Sequence, residues 1–355
     1  MGYLIAFSTY FLALLFVSVN GKPLVPALFF FGDSVLDVGN NNNLPTIIRA
    51  NFLPYGKDFV NHYPTGRFSN GKLVVDFASE SLGFSTYQPA YLSLYFKGKN
   101  ILNGANFASS ASGYHNSTAK LFDTLTLGQQ LEYYKDYQKQ LMRIAGRLNA
   151  SSIISGGIYI VGAGSVDFLM NYYINPCLNK FYTPHQFVDI LVQNYADFIQ
   201  NLYALGARRI GVVTLTAIGC FPTSINIFGS PDDDDKCVVE MNNVAVYFNQ
   251  KLFLKSVNLR TMLPDLNLVL LDSYQPLYNL VNKPSEYGFS QTRQGCYTVF
   301  PHTPENTSSI FNDEKIFMLC PNASEFVFWD GFHPTEAANK FLAAELIAMA
   351  TPLLN

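Results

Sequence analysis

The sequence predicts an α/β fold, a three-layer α/β/α sandwich on a mostly parallel central sheet, and three observations carry that expectation. Short apolar runs alternate with stretches of helical spacing, a pattern that builds a parallel sheet with helices on both faces. Hydrophobic residues make up 49% of the 355 and charged residues 14%, which supplies a large core and argues against disorder. The first apolar run ends in a polar loop dense in Gly and Asn, and in open α/β sheets ligands bind at the carboxyl ends of the strands.

Val25 to Phe31, ending at Gly32, reads as a buried strand, with Asp33 to Asn43 as the loop after it. Lys72 to Leu82 has helical spacing. Leu127 to Leu148 reads as one long amphipathic helix, with Leu131, Tyr134, Tyr137, Leu141, Ile144 and Leu148 at three- and four-residue steps. Gly157 to Val161 is a second strand. Thr183 to Leu205 is a helix opened by Thr183-Pro184 in the cap and first-turn positions. Arg209 to Leu215 is a strand, Val238 to Leu259 a helix and Asn267 to Leu271 a strand. Gly288 to Pro321 lacks periodicity and reads as a long loop, and a helix from Thr335 to about Ala350 closes the chain. No internal repeat or linker divides residues 22–355, which are expected to form one domain.

The first segment sets the compartment. Leu4 to Val19 is almost wholly apolar and ends in Val19-Asn20-Gly21, so residues 1–21 read as a signal peptide cut after Gly21. The alternative, a transmembrane anchor, needs ~20 apolar residues, more than this stretch has. No later stretch is expected to span a bilayer. Four sequons, at Asn116, Asn149, Asn306 and Asn322, fit a secreted, glycosylated surface. The five cysteines permit disulfides in that compartment. The expected bridges are Cys220–Cys237 and Cys296–Cys320, with Cys177 free, although spacing alone does not fix connectivity.

Lys and Arg are scattered and the net charge is −3, which speaks against a nucleic-acid surface. No Cys-x-x-Cys or His cluster suggests a metal. Pro231 to Lys236 is acidic but lacks the spacing of a Ca²⁺ loop and reads as a solvated surface loop.

Two segments carry candidate chemistry. Gly32-Asp33-Ser34 places a serine just past a buried strand, at the sheet's carboxyl edge, outside the Gly-x-Ser-x-Gly elbow pattern. Asp330-Gly331-Phe332-His333-Pro334 places a carboxylate and an imidazole three apart ahead of the last helix. A serine hydroxyl needs a base to take its proton, His serves near neutral pH, and a carboxylate fixes the ring's tautomer. Taken alone, a turn serine is usually only a turn serine, and an Asp-x-x-His pair is usually a cap or surface pair. The other four histidines have no carboxylate in such a context.

The run Phe31-Gly32-Asp33-Ser34-Val35-Leu36-Asp37-Val38-Gly39-Asn40-Asn41-Asn42 resembles the first block of the plant GDSL esterase/lipases, within the SGNH hydrolase superfamily. Pro64 to Gly71 matches a further segment of that family, Asn103 to Ser109 resembles its second block, and Asp330 to Pro334 its last. The resemblance spans nearly all of the chain after residue 21. It implies a flavodoxin-like sandwich and a serine esterase or lipase that needs no metal or cofactor. Its substrate would be a small-molecule or lipid ester, soluble and of short to medium acyl chain, in an extracellular or cell-wall setting. Ser34 would be the nucleophile, His333 the base and Asp330 its orienter. The oxyanion would be held by the backbone N–H groups of Ser34 and Gly104 and by an Asn side chain in the third block.

That third block departs from the family pattern Gly-x-Asn-Asp. Gly164 and Asp167 fix the register of Gly164-Ser165-Val166-Asp167, so Val166 stands at the Asn position with no donor to offer. If the backbone there is extended, the Ser165 hydroxyl points the opposite way and does not replace the amide. Asp37 is expected to tie the Asn-rich loop and Arg67 to pair with a carboxylate. Beside the esterase reading stand two others. One is a nearly inactive homologue that binds a lipid or glycan ester. The other is an acyltransferase with the same triad.

Overall fold

The computed structural model describes residues 21–94, 96–230, 237–299 and 317–355. The segment 4–19, the acidic loop, His302 and the Asn306 sequon lie outside these.

Five strands form one sheet in which every pairing is parallel: β1 (Leu28–Gly32), β2 (Gly104–Asn106), β3 (Ile158–Gly162), β4 (Arg209–Val213) and β5 (Asn267–Leu271). The spatial order is β2-β1-β3-β4-β5. This is the flavodoxin-like doubly wound order, in which the chain reverses direction of winding between β1 and β3 and leaves a crevice beyond their carboxyl ends. Both faces are covered by helices, giving the three layers that the alternating pattern predicts. The longer α-helices are α1 (Val74–Ser81), α2 (Leu127–Ala145), α3 (Arg147–Gly156), α4 (Pro184–Ala204), α5 (Val239–Met262), α6 (Tyr274–Asn282) and α7 (Glu336–Ala350).

The two faces are filled unequally. Phe29, Phe31, Tyr159, Val161, Ile210 and Val212 point to one face, where α2, α4 and α5 bury them in the large core. Leu28, Phe30, Ile158 and Ile160 point to the other, which holds a much smaller cluster with Val75 and Leu353. Thr183 and Thr335 cap their helices, accepting hydrogen bonds from the N–H groups of Gln186 and Ala338.

Three sequence expectations need correction. The helix from Leu127 ends at Ala145, because Gly146 adopts φ 76° and turns the chain into α3. Leu148, placed on the apolar stripe by spacing alone, is consequently 87% exposed. The stretch after Gly288 is not structureless. Short strands run over Gln291–Gly295, Tyr297–Val299 and Phe317–Leu319, and the first pairs in parallel with Phe326–Phe328. The stretch 336–354 is long and apolar enough to cross a membrane by length and composition, contrary to expectation. Here it lies on the sheet with Ala338, Leu342, Ala343 and Leu346 buried. Both expected disulfides are present, Cys220–Cys237 and Cys296–Cys320, and Cys177 is unpaired and exposed.

Candidate active site

Ser34 follows β1 by two residues. Gly32 lets this turn form. Its φ is 136°, and a Cβ there would stand 1.8 Å from the carbonyl oxygen of Gly162 in β3. The side chain of Gln130 clamps the same glycine, accepting from its N–H and donating to its carbonyl, both at 2.9 Å. Asp33 shapes the next turn, its carboxylate accepting from the N–H of Val35 and its carbonyl from those of Leu36 and Asp37.

The second half of the site comes from the segment ahead of α7. The Trp329 N–H donates to the His333 carbonyl at 2.6 Å and closes a tight loop. Inside it, Oδ1 of Asp330 accepts from the backbone N–H groups of Phe332 and His333 at 2.9 and 2.8 Å. The His333 Nδ1 lies 2.9 and 2.8 Å from the two carboxylate oxygens, and Nε2 lies 2.8 Å from Ser34 Oγ. A carboxylate only accepts hydrogen bonds, so Nδ1 carries the proton and Nε2 is left to accept from the serine hydroxyl. Burial works to raise the carboxyl of Asp330, but the charge and hydrogen bonds of His333 and the Phe332 N–H outweigh it and hold the group below its ordinary value.

Tyr55, which sequence reasoning missed, completes the carboxylate's shell. Its phenol donates to Asp330 Oδ2 at 2.9 Å, and the ring is buried against Phe68 and Trp329. Phe68 also packs against the His333 ring, tilted by 41° with 4.9 Å between centroids. No sequence signal joins Tyr55 to a carboxylate 275 positions away, although it falls close before the Pro64–Gly71 match.

Ser34 and His333 open onto a cleft of about 700 Å³ bordered also by Ala111, Ser165, Val166 and Met170. Gly104 is not among its walls. It pairs with Leu28 at the start of β1, at the amino edge of the sheet, while Ser34 lies past the carboxyl edge. The chain reaches the carboxyl end of β1 only at Ser109, whose N–H donates to the Gly32 carbonyl, and Ala111, with φ 64°, then borders the cleft. Val166 does border it. The backbone there is helical (φ −70°, ψ −35°), not extended, so Ser165 reaches the cleft as well.

Asp37 and Arg67 serve as frame. The carboxylate of Asp37 accepts from the N–H groups of Gly39, Asn40 and Ser110 and from the Ser110 hydroxyl, tying the Asn-rich loop to the segment after β2. Arg67 makes a two-pronged bond to buried Asp76 at 2.8 and 2.7 Å.

A family model for the GDSL-like lipase/acylhydrolases matches residues 28–346. The chain belongs to that family. A GDSL esterase/lipase of Arabidopsis thaliana is 54% identical over 342 residues, which cover 96% of this chain and 93% of that relative. Another of the same organism is 49% identical over 95% of this chain and 94% of its own length. The Arabidopsis thaliana GDSL esterase/lipase APG is 48% identical over 95% and 94%. As a family member this protein is a carboxylic ester hydrolase, and its two disulfides fit an extracellular protein.

Proposed function

We propose that this GDSL family member is a secreted serine esterase that cleaves carboxylic esters through an acyl-enzyme on Ser34. The observation that carries the reading is the unbroken line of hydrogen bonds from Ser34 Oγ through His333 to Asp330. In the first step Ser34 Oγ attacks the ester carbonyl carbon and its proton passes to His333 Nε2. Asp330 holds the ring and balances the positive charge it acquires. The tetrahedral intermediate collapses, the C–O bond to the alcohol breaks, and His333 gives its proton to the departing oxygen. Water then attacks the acyl-Ser34 ester, again through His333, and releases the acid.

Backbone N–H groups of Ser34 and of the segment at Ala111 serve the oxyanion in this reading, in place of the Gly104 group that the motif match suggested. Ala111 borders the same cleft as Ser34. Val166 removes the side-chain donor, and loss of one such donor lowers turnover by roughly 10²–10³. That substitution is also the observation favouring the second reading, a weakly active homologue that chiefly binds its ester.

Residues 1–21 act as a signal peptide in this account, and residues 22–355 form the single mature domain. Asn116, Asn149 and Asn322 are exposed and suit glycosylation. Hydrolysis of p-nitrophenyl butyrate by the mature chain and by Ser34→Ala tests the proposal. Turnover well above that of the Ala variant supports it, and equal turnover favours the binding homologue.

A further inference from the structure

The thinly covered face of the sheet holds a second cavity, of about 130 Å³, between the strands and the layer formed by α1 and α7. Ile160, Val213 and Leu271 form its floor, with Ala78 of α1 and Leu346 and Ile347 of α7 above them. Ile160 sits in the middle of β3, flanked by β1 and β4, yet is only half-buried. A central-strand residue stays reachable in this way only where the helices above it leave a gap.

The cavity adjoins the Ser34 cleft. Asp33, Val35, Ser165, Phe221 and Phe332 border both spaces. Two of these flank Ser34 and one precedes His333, so the shared wall lies beside the nucleophile. The polar groups deeper in the cavity are already committed. Thr214 donates to Asp272, Thr216 to the Ser273 carbonyl and Ser273 to the Thr214 carbonyl, while the Asn339 amide donates to the Lys72 carbonyl. Beyond the shared wall, where Asp33 and Ser165 face the cleft side, an occupant therefore meets apolar surface whose polar groups are already bonded, which suits a hydrocarbon tail and not a sugar. The larger cleft differs, being bordered by Thr223, Asn226, Gln294 and Thr298.

We propose that this cavity receives the acyl tail of the ester, leaving the alcohol portion in the larger cleft. The inference rests on the reading of Ser34 as the nucleophile. An apolar cavity of ~150 Å³ holds one benzene, so this one takes a tail of about five or six carbons. Each methylene it buries raises kcat/KM about fourfold.

The test is kcat/KM for p-nitrophenyl acetate, butyrate, hexanoate, octanoate and decanoate, for the unsubstituted chain, Ala78→Phe and Ile347→Ala. The expected profile climbs from acetate to hexanoate and levels off or falls by decanoate. Ala78→Phe, which fills the cavity, lowers the hexanoate-to-acetate ratio at least tenfold, and Ile347→Ala, which enlarges it, moves the optimum to a longer chain. A profile that neither substitution alters overturns the proposal while leaving the role of Ser34 intact. Acetate hydrolysis that survives in Ser34→Ala overturns the nucleophile reading instead. Should no ester be turned over, calorimetry with hexanoic acid decides. Binding by the unsubstituted chain and loss in Ala78→Phe upholds the acyl site, and no binding to either overturns it.

Discussion

The phenol of Tyr55 donates a 2.9 Å hydrogen bond to Asp330 Oδ2, while the backbone N–H groups of Phe332 and His333 hold Oδ1. Asp330 is thus fixed at both oxygens and presents a set orientation to His333 Nδ1. Hydrogen bonds to charged groups are worth about 1.5–3 kcal/mol. Tyr55→Phe is expected to lower kcat about tenfold with KM little changed, because orientation of the base matters in the transition state and not in substrate binding. Asp330→Asn, which offers the ring the wrong partner, is expected to cost about 10⁴. Steady-state kinetics on a soluble ester measures both, and a Tyr55→Phe enzyme with raised KM and normal kcat assigns the phenol to substrate binding instead.

Val166→Asn places an amide in the wall of the cleft, where the proposed oxyanion hole has no side-chain donor. A gain in turnover of tenfold or more is expected, bounded by the roughly 10²–10³ that one such donor contributes. Unaltered turnover shows that the hole is complete without a side chain at this position.

The pH dependence of stability follows chiefly from three buried carboxyls, Asp33, Asp37 and Asp167. Burial pushes Asp33 up to about 7 against the Val35 N–H and the charge of His333. Burial likewise pushes Asp167 up to about 7 in spite of donors from Thr118, His115 and Tyr114. Between the ordinary carboxyl value near 4 and about 7, the folded state holds more protons than the unfolded one. Stability therefore falls as pH rises through that window, by on the order of 1 kcal/mol per unit for each group. Burial raises Asp37 as well and adds to the fall, whereas it lowers His115, which opposes the fall below about 6.5 but is one group against three. Asp330, shifted the other way, acts only below that window. Thermal melting from pH 4.5 to 7.5 is expected to show Tm declining with pH, less steeply in Asp33→Asn. A Tm that climbs across the range contradicts this.

The Cys296–Cys320 bridge braces the segment that leads into Asp330 and His333. The Cys296 and Tyr297 N–H groups donate to the carbonyls of Phe328 and Trp329, immediately before Asp330. Closing a loop of this length contributes about 3 kcal/mol in the chain-entropy view. Replacing both cysteines by serine is expected to lower Tm markedly and turnover with it, whereas Cys177→Ser at an exposed position leaves Tm where it was. Equal melting of the two variants argues against the bracing role.

Much of the fold is legible because a parallel strand buried on both faces leaves an unbroken apolar run, as at Leu28–Phe31 and Ile158–Val161. The strand Gly104–Asn106 escapes this logic, being three residues of Gly-Ala-Asn with no β-branched side chain. The same strand explains the misplacement of Gly104. A motif match identifies a block but not which of its residues reaches the sheet's carboxyl edge, and the register with Leu28 puts that point five residues further on, at Ser109. Ser34, Asp330 and His333, which the fold brings within hydrogen-bond reach of one another, stand out in the sequence because the chemistry of a serine and its base narrows the choice of side chains. Tyr55 and Gln130 do not, since each acts through a contact between distant segments that leaves no local pattern.

The central claim is that Ser34 is a nucleophile activated by His333. Labelling with a fluorophosphonate addresses it without reference to any natural substrate. Attack by an activated serine on phosphorus expels fluoride and leaves a stable adduct that peptide mass spectrometry locates. One adduct per chain on the peptide containing Ser34 is expected, absent in Ser34→Ala and at least 10³-fold slower in His333→Ala. Labelling at another residue, or equal labelling of Ser34→Ala, contradicts the account.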